Sequence, residues 1–256
     1  MTKTHPVNGL RIGPQDQDLT AAIPNRAIKP SSLGVRMVEI KALRTDGSIV
    51  VGQRKIPMLP QFDAAFSAFS RGTLLQTETG VVAVEDLCPG DRVMTAEGKA
   101  SQITWIGSAT FSGTDQNQAL SLTRIMAGSF GVTRPDSFLS LGPSARLLQT
   151  PPHLRGDVAS KSMMTPANTF VEGVNVIDVT PPSPIRLFHL GLQQHTAVIA
   201  SGLEIESFHP GPNPLRALSH TLREVYMSLF PHLSQINDFG PMRYARAADS
   251  LDQNAA

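Results

Sequence analysis

A mostly β fold carrying one amphipathic helix near its C-terminus is what this sequence predicts, on three observations. Short apolar runs recur at roughly ten-residue spacing, the rhythm of a sandwich or barrel-like sheet and not of βαβ units. Turn signatures stand between them, among them Asp46-Gly47, Glu97-Gly98 and Pro89-Gly90, the last calling for a positive φ at the glycine. After Pro212 the apolar period changes from two to that of a helix.

Taken in chain order, residues 1–32 hold Pro6, Pro14, Pro24 and Pro30 among polar residues without sustained periodicity. They are expected to form a flexible N-terminal arm. Residues 33–65 form a β-hairpin extension: Val35-Arg-Met-Val-Glu-Ile-Lys-Ala-Leu43 and Ile49-Val-Val51 flank the turn Thr45-Asp-Gly-Ser48, and Pro57 and Pro60 end the unit. It is expected to enlarge the sheet without chemistry of its own. A β body over 66–212 begins with Thr73–Thr77, Val81–Val84, Arg92–Thr95 and Gln102–Ile106. In the last of these Trp105 is expected to be buried, with its N–H seeking a partner. Residues 150–168 read as a long loop, and Ile185–Leu190 and His195–Ala200 as further strands. A helix over 213–232 is predicted from Leu215, Leu218, Leu222, Val225 and Leu229, with Asn213 as N-cap, Pro214 in the first turn and Pro231 as the stop. Residues 233–256 are a frayed tail.

Composition narrows the function classes. Hydrophobic residues make up 41% and charged residues 17%, a globular balance. A net charge of +1 gives no reason to expect nucleic acid or an anionic membrane as partner. The apolar runs are far too short to span a bilayer. MTKTHPVNGL has no apolar core of a signal peptide, so the cytoplasm is the expected compartment, although leaderless secretion would leave no mark there. A single cysteine, Cys88, forbids an internal disulfide and a multi-cysteine zinc site. No Gly-x-Ser-x-Gly elbow, His-Glu-x-x-His pair or phosphate loop suggests an ordinary hydrolase. No cofactor and no metal are expected, and a protein partner is left open.

Three stretches together resemble the Hint domain family, the fold of Hedgehog autoprocessing modules and inteins, in its bacterial branch. The first runs from Ala68-Phe-Ser-Arg-Gly-Thr73 through Thr77-Glu-Thr-Gly80, Val84-Glu-Asp-Leu87 and Pro89-Gly-Asp-Arg-Val93 to Trp105-Ile-Gly107. The second is Leu139-Ser-Leu-Gly-Pro-Ser-Ala-Arg-Leu-Leu148. The third joins Phe188-His-Leu-Gly-Leu-Gln-Gln-His195, Ala200-Ser-Gly202 and Glu206-Ser-Phe-His-Pro-Gly211. The resemblance implies a Hint-type β fold whose activity is autoproteolysis or protein splicing. In that chemistry a side-chain nucleophile attacks the carbonyl before it, and a histidine beside a Thr or Ser protonates the departing amide nitrogen.

Matched onto that scheme, the reacting positions are filled by the wrong residues. Ala68 stands at the nucleophile, Gly142 at the Thr or Ser, and Ala145 at the histidine. Glu206-Ser207 replaces the His-Asn that closes an intein. His189 and His195 match histidines of the closing segment, and both are expected to serve packing and hydrogen bonding, since a metal held by two histidines with no carboxylate or thiolate nearby has a thin ligand set. His153, His209, His220 and His232 are read as loop or helix-surface residues. The chain is therefore expected to be a degenerate autoprocessing module acting in binding or structure, with enzymatic activity an open question. The competing expectation is residual self-cleavage through Ser67 or Ser70. Against it, Ser70 lies two residues from position 68, and a two-residue shift along a strand moves the reacting atom by ~6.6 Å. If Gly142 tolerates a side chain, the triple change Ala68→Cys, Gly142→Thr, Ala145→His should come closest to restoring activity.

Overall fold

The computed structural model describes residues 34–113, 120–151 and 162–247. The expected arm over 1–32, His153 and residues 248–256 lie outside them. Fifteen strands and two short α-helices make up the described part, and nearly every strand pairing is antiparallel, so the fold class is the expected one.

The hairpin forms where the Asp-Gly turn predicts it. Strand β1 (Val35–Leu43) pairs with β2 (Ile49–Pro57), Gly47 takes a φ of 81°, and the Asp46 carboxylate accepts from the Ser48 N–H at 2.9 Å. Alternation then sorts β1: Arg36, Val38, Ile40 and Ala42 point inward. Arg36 is admitted to that face because it is fully engaged. It donates to Asp63 at 3.0 Å and to the Thr110 carbonyl at 2.7 Å, and its guanidinium lies 3.9 Å over the Phe111 ring. Far from standing apart, β1 pairs with β7 (Ala100–Phe111), from Val38 opposite Ala109 to Ala42 opposite Trp105. A boundary at residue 65 therefore does not divide the core.

Between the hairpin and the body lie α1 (Pro60–Asp63) and a 3₁₀ turn over Ala64–Phe66, which lead into β3 (Phe69–Ser70), β4 (Leu74–Thr77), β5 (Gly80–Ala83) and β6 (Arg92–Met94). Then follow β7 and β8 (Leu122–Ile125), β9 (Leu139–Leu141), β10 (Arg146–Leu148), β11 (Met164–Pro166) and β12 (Val176–Val179). The stretch read as a long loop over 150–168 thus contains β11, held by pairing of Arg146–Leu148 with Met164–Pro166. Strands β13 (Ile185–Leu192), β14 (Ala197–Ala200) and β15 (Leu203–Glu206) close the sheet. Strand β7 is the hub: its start pairs with β6, while its remainder is flanked by β1 and β13.

Two hydrophobic cores result. One fills the body around Phe69, Leu75, Leu87, Ile103, Leu147, Leu190 and Ile205. The other joins the hairpin's inner face to Trp105, Phe66, Phe208, Tyr226 and Phe230. Trp105 is 1% exposed and donates its indole N–H to the Leu229 carbonyl at 2.7 Å, which meets both parts of the expectation for it.

The C-terminal helix is shorter than predicted. It spans α2 (His220–Met227), and its N-cap is Ser219, whose Oγ accepts from the Leu222 N–H. Asn213 instead takes a φ of 51°, a left-handed turn from which a helix cannot start. Leu215 and Leu218 pack into the second core from turns, so their spacing imitates a helix that is not there. Among the described residues, no helix is long and apolar enough to cross a membrane.

Candidate functional site

The two segments that would carry the self-cleavage groups do come together. Ala68 is fully buried immediately before β3; its N–H donates to the Phe188 carbonyl at 3.0 Å, and its own carbonyl accepts from the Gly142 N–H at 2.8 Å. One residue earlier, the Ser67 carbonyl (the one that an attack from position 68 would strike) accepts from the Ser144 N–H at 3.1 Å. Ala145 is buried beside them, its N–H on the Gly142 carbonyl. The main chains at 67–68 and 142–145 are thus bonded to each other, and the side chains that they carry at 68, 142 and 145 are those of Ala, Gly and Ala.

Gly142 explains part of this. A Cβ built on it would overlap the Ser67 carbonyl oxygen and crowd Leu187. The glycine is required by this close approach and not by a left-handed φ, since it is absent from the positive-φ residues. The expectation that Thr at 142 helps to restore activity is therefore corrected: the carbonyl occupies the space that such a side chain needs.

The serines flanking Ala68 have weak partners. Ser67 Oγ meets Ser144 Oγ at 3.1 Å, and Ser70 Oγ donates to the Ser140 carbonyl at 2.7 Å. Among the described residues, neither hydroxyl is bonded to an imidazole or carboxylate that could take its proton. Cys88, the lone thiol, is exposed in the Pro89-Gly90 turn, where Gly90 takes the predicted positive φ.

The two closing-segment histidines part company. His189 is buried between Phe69 and Phe208, with Nδ1 at 3.0 Å from the Ala64 carbonyl. That carbonyl can only accept, so Nδ1 carries the proton. Nε2 has no hydrogen-bond partner, and burial pushes the group down to about 4.

His195 sits in a polar cluster that sequence reading missed. Its Nδ1 accepts from the Arg243 N–H at 3.0 Å, which assigns the proton to Nε2, 2.9 Å from Glu206 Oε1. The earlier reading, two histidines with no carboxylate close by, is corrected by Glu206. The signal was available: Ala200-Ser-Gly202 is a hairpin turn, and pairing β14 with β15 sets Ala197 opposite Glu206. Burial works to raise the Glu206 pKa. The His195 hydrogen bond and the Arg246 guanidinium outweigh it and hold the carboxyl below its usual range. Glu97 behaves alike: burial opposes ionisation, but bonds from Tyr244 and Thr196 win.

His209 is likewise no surface residue, bonding the Gly240 carbonyl and the Gly211 N–H at 3.0 Å each. His232 is half-buried, and desolvation brings it to about 4. His220 is exposed, as expected. Beside His195 opens a cleft of ≈ 640 Å³ whose walls include Arg44, Trp105, Gln193, His232 and Asp238. Among the described residues no cluster of three or more His, Cys, Asp or Glu is arranged to hold a metal.

A family model described as the Hint domain matches residues 67–212, more than half of the chain. Among solved structures, the chain is similar to a bacterial intein-like domain from Clostridium thermocellum at 13% identity, covering 56% of this chain and 99% of that one with a TM-score of 0.36. It is also similar to the MchDnaB-1 intein at 13% identity, covering 55% and 100% with a TM-score of 0.32. Among curated proteins there is no significant match.

Proposed function

Since the chain belongs to the Hint domain family, we propose that it is a non-cleaving member, which keeps the scaffold of autoprocessing and acts as a binding or structural module. The observation that carries this reading is the packing at Gly142, where the Ser67 carbonyl lies in the space of the side chain that would position a proton donor. With alanine at 68 and 145, the attacking atom and the donor to the amide nitrogen are missing at the same site. These groups act as one unit in the reaction, so their losses do not add; the loss of any one is already severe.

Residual cleavage through Ser67 or Ser70 has less support. Each hydroxyl would strike a different carbonyl, displaced along the strand from the one that the fold presents. Their hydrogen-bond partners are Ser144 Oγ for Ser67 and the Ser140 carbonyl for Ser70, and neither of these is a base able to take a hydroxyl proton.

The test is the variant Ala68→Cys, incubated with a small thiol for a day and followed by mass spectrometry. The nucleophile is restored but the amide nitrogen still lacks a donor, so the expected result is intact protein. Efficient cleavage between Ser67 and position 68 would show that a proton donor exists elsewhere, and the reading of a dismantled site would fall.

A further inference from the structure

The segment Arg243-Tyr-Ala-Arg246 is held in a way that resembles a docked peptide more than a loop. It bends at Arg243 and Tyr244 and then forms a single parallel bridge at Arg246 with Met164, whose N–H donates to the Ala245 carbonyl at 2.8 Å and whose carbonyl accepts from the Ala247 N–H at 3.0 Å. Arg243 adds a third main-chain bond, to His195 Nδ1. Side chains then fix the register. Arg246 Nε donates to Glu206 Oε1 at 2.8 Å and its Nη2 to the His209 carbonyl at 2.7 Å. Tyr244 donates its hydroxyl to Glu97 Oε1 at 2.6 Å, and Arg243 Nε lies 2.8 Å from the same oxygen.

The receiving surface is built by the body alone. Glu97 comes from the turn between β6 and β7, where Thr196 also donates to it at 2.7 Å. Glu206 comes from the end of β15 with Arg146 3.6 Å away, and His195 from the approach to β14. The Glu206 side chain is 3% exposed. Arg146 of the body stands 3.6 Å from this buried carboxylate without closing a short bond to it, and Arg246 supplies the close, hydrogen-bonded cation at 2.8 Å with geometric selectivity. Main-chain pairing to a short strand with side chains read in pockets is the mode in which folded domains capture extended peptides.

We propose that this groove, bounded by β11, Glu97, His195 and Glu206, is a peptide-binding site whose ligand is an extended segment of the form Arg-aromatic-small-Arg, occupied in cis by residues 243–247. The second arginine is the anchor and the first, half exposed at 51%, is the weaker determinant. The site is separate from the dismantled one at Ala68 and does not depend on whether the chain cleaves. A partner carrying the same pattern would compete with the tail, which acts as a tethered ligand at high effective concentration.

The test uses the full-length chain with Arg243→Ser and Arg246→Ser, which vacates the groove, and a labelled synthetic peptide of residues 240–248. Saturable binding is expected, weakened at least tenfold by adding Glu206→Gln and at least tenfold when both arginines of the peptide are serine. No saturable binding to the folded variant, or equal binding of the serine peptide, would overturn the proposal. Intact mass on the same samples reports cleavage separately. Should the variant not fold, hydrogen exchange on the unaltered chain decides. A docked ligand predicts that the Met164 and Ala247 amides exchange together, at least a hundredfold faster than the Phe208 amide bonded to Leu190. Exchange of all three only in concert would make the tail an inseparable part of the fold, against the proposal.

Discussion

Two regions of the Hint body met the same scaffold and fared differently. In the turn frame that follows β3, Glu85, Thr77 and Asp91 of the family pattern each have a partner, whereas the buried Thr73 hydroxyl has none among the described residues. Glu85 accepts from the Gly72 N–H at 2.8 Å, Thr77 donates to the Gly80 carbonyl at 2.7 Å, and Asp91 accepts from the Cys88 N–H at 2.8 Å. At Ser67, Ala68, Gly142 and Ala145 the main-chain bonds are equally well formed, but positions 68, 142 and 145 carry no polar side chain, and the Ser67 carbonyl lies where a Cβ at 142 would stand. The contrast teaches that Glu85, Thr77 and Asp91 hold turns together, a stability role, whereas the sheet forms around positions 68, 142 and 145 without any polar side chain there.

That separation can be broken most forcefully at the strand serving both regions. Trp105 on β7 packs against Phe66, Phe208 and Phe230, and replacing it with Ala should cost about 3–5 kcal/mol, read as a lowered denaturation midpoint. A change below about 1 kcal/mol would mean that the second core does not support the body in the way described. Gly142→Ala comes next. If the Ser67 carbonyl fills that space, even one methyl overpacks it and should cost about 1–3 kcal/mol. Neutral stability would reopen room for a catalytic Thr.

A smaller effect concerns pH. The folded-state pKa of His189, about 4, lies below its ordinary value of 6.5, so the unfolded chain binds the proton first on acidification. Its contribution is full above pH 6.5 and declines as pH falls toward 4, by at most about 1.4 kcal/mol per unit. His189→Phe should flatten the stability profile between pH 6.5 and 5, measured from urea midpoints. An unchanged slope would mean that His189 already titrates normally in the fold.

Much of the fold was legible because its signals are local. Asp46-Gly47 and Pro89-Gly90 dictate their turns, alternation sets β1, and Trp105 on an apolar strand finds the core. The helix start was misread because Leu215 and Leu218 follow helical spacing for tertiary reasons, while the true cap, Ser219, lies closer to the helix. The dismantled positions were legible as substitutions, but why Thr cannot return at 142 depends on Ser67, far away in sequence. Least legible was the polar cluster. His195 and Glu206 flank one hairpin whose turn can be read, but Glu97 from the turn between β6 and β7 and Arg246 from the tail join them only in the folded chain, and no period in the sequence encodes that meeting.

The central claim, that the scaffold persists without its reaction, is tested most directly by the intact mass of the unaltered chain, freshly purified and again after a day with added thiol. A single species at the full 27.5 kDa both times is the predicted result. A clean break between Ser67 and Ala68 would contradict it.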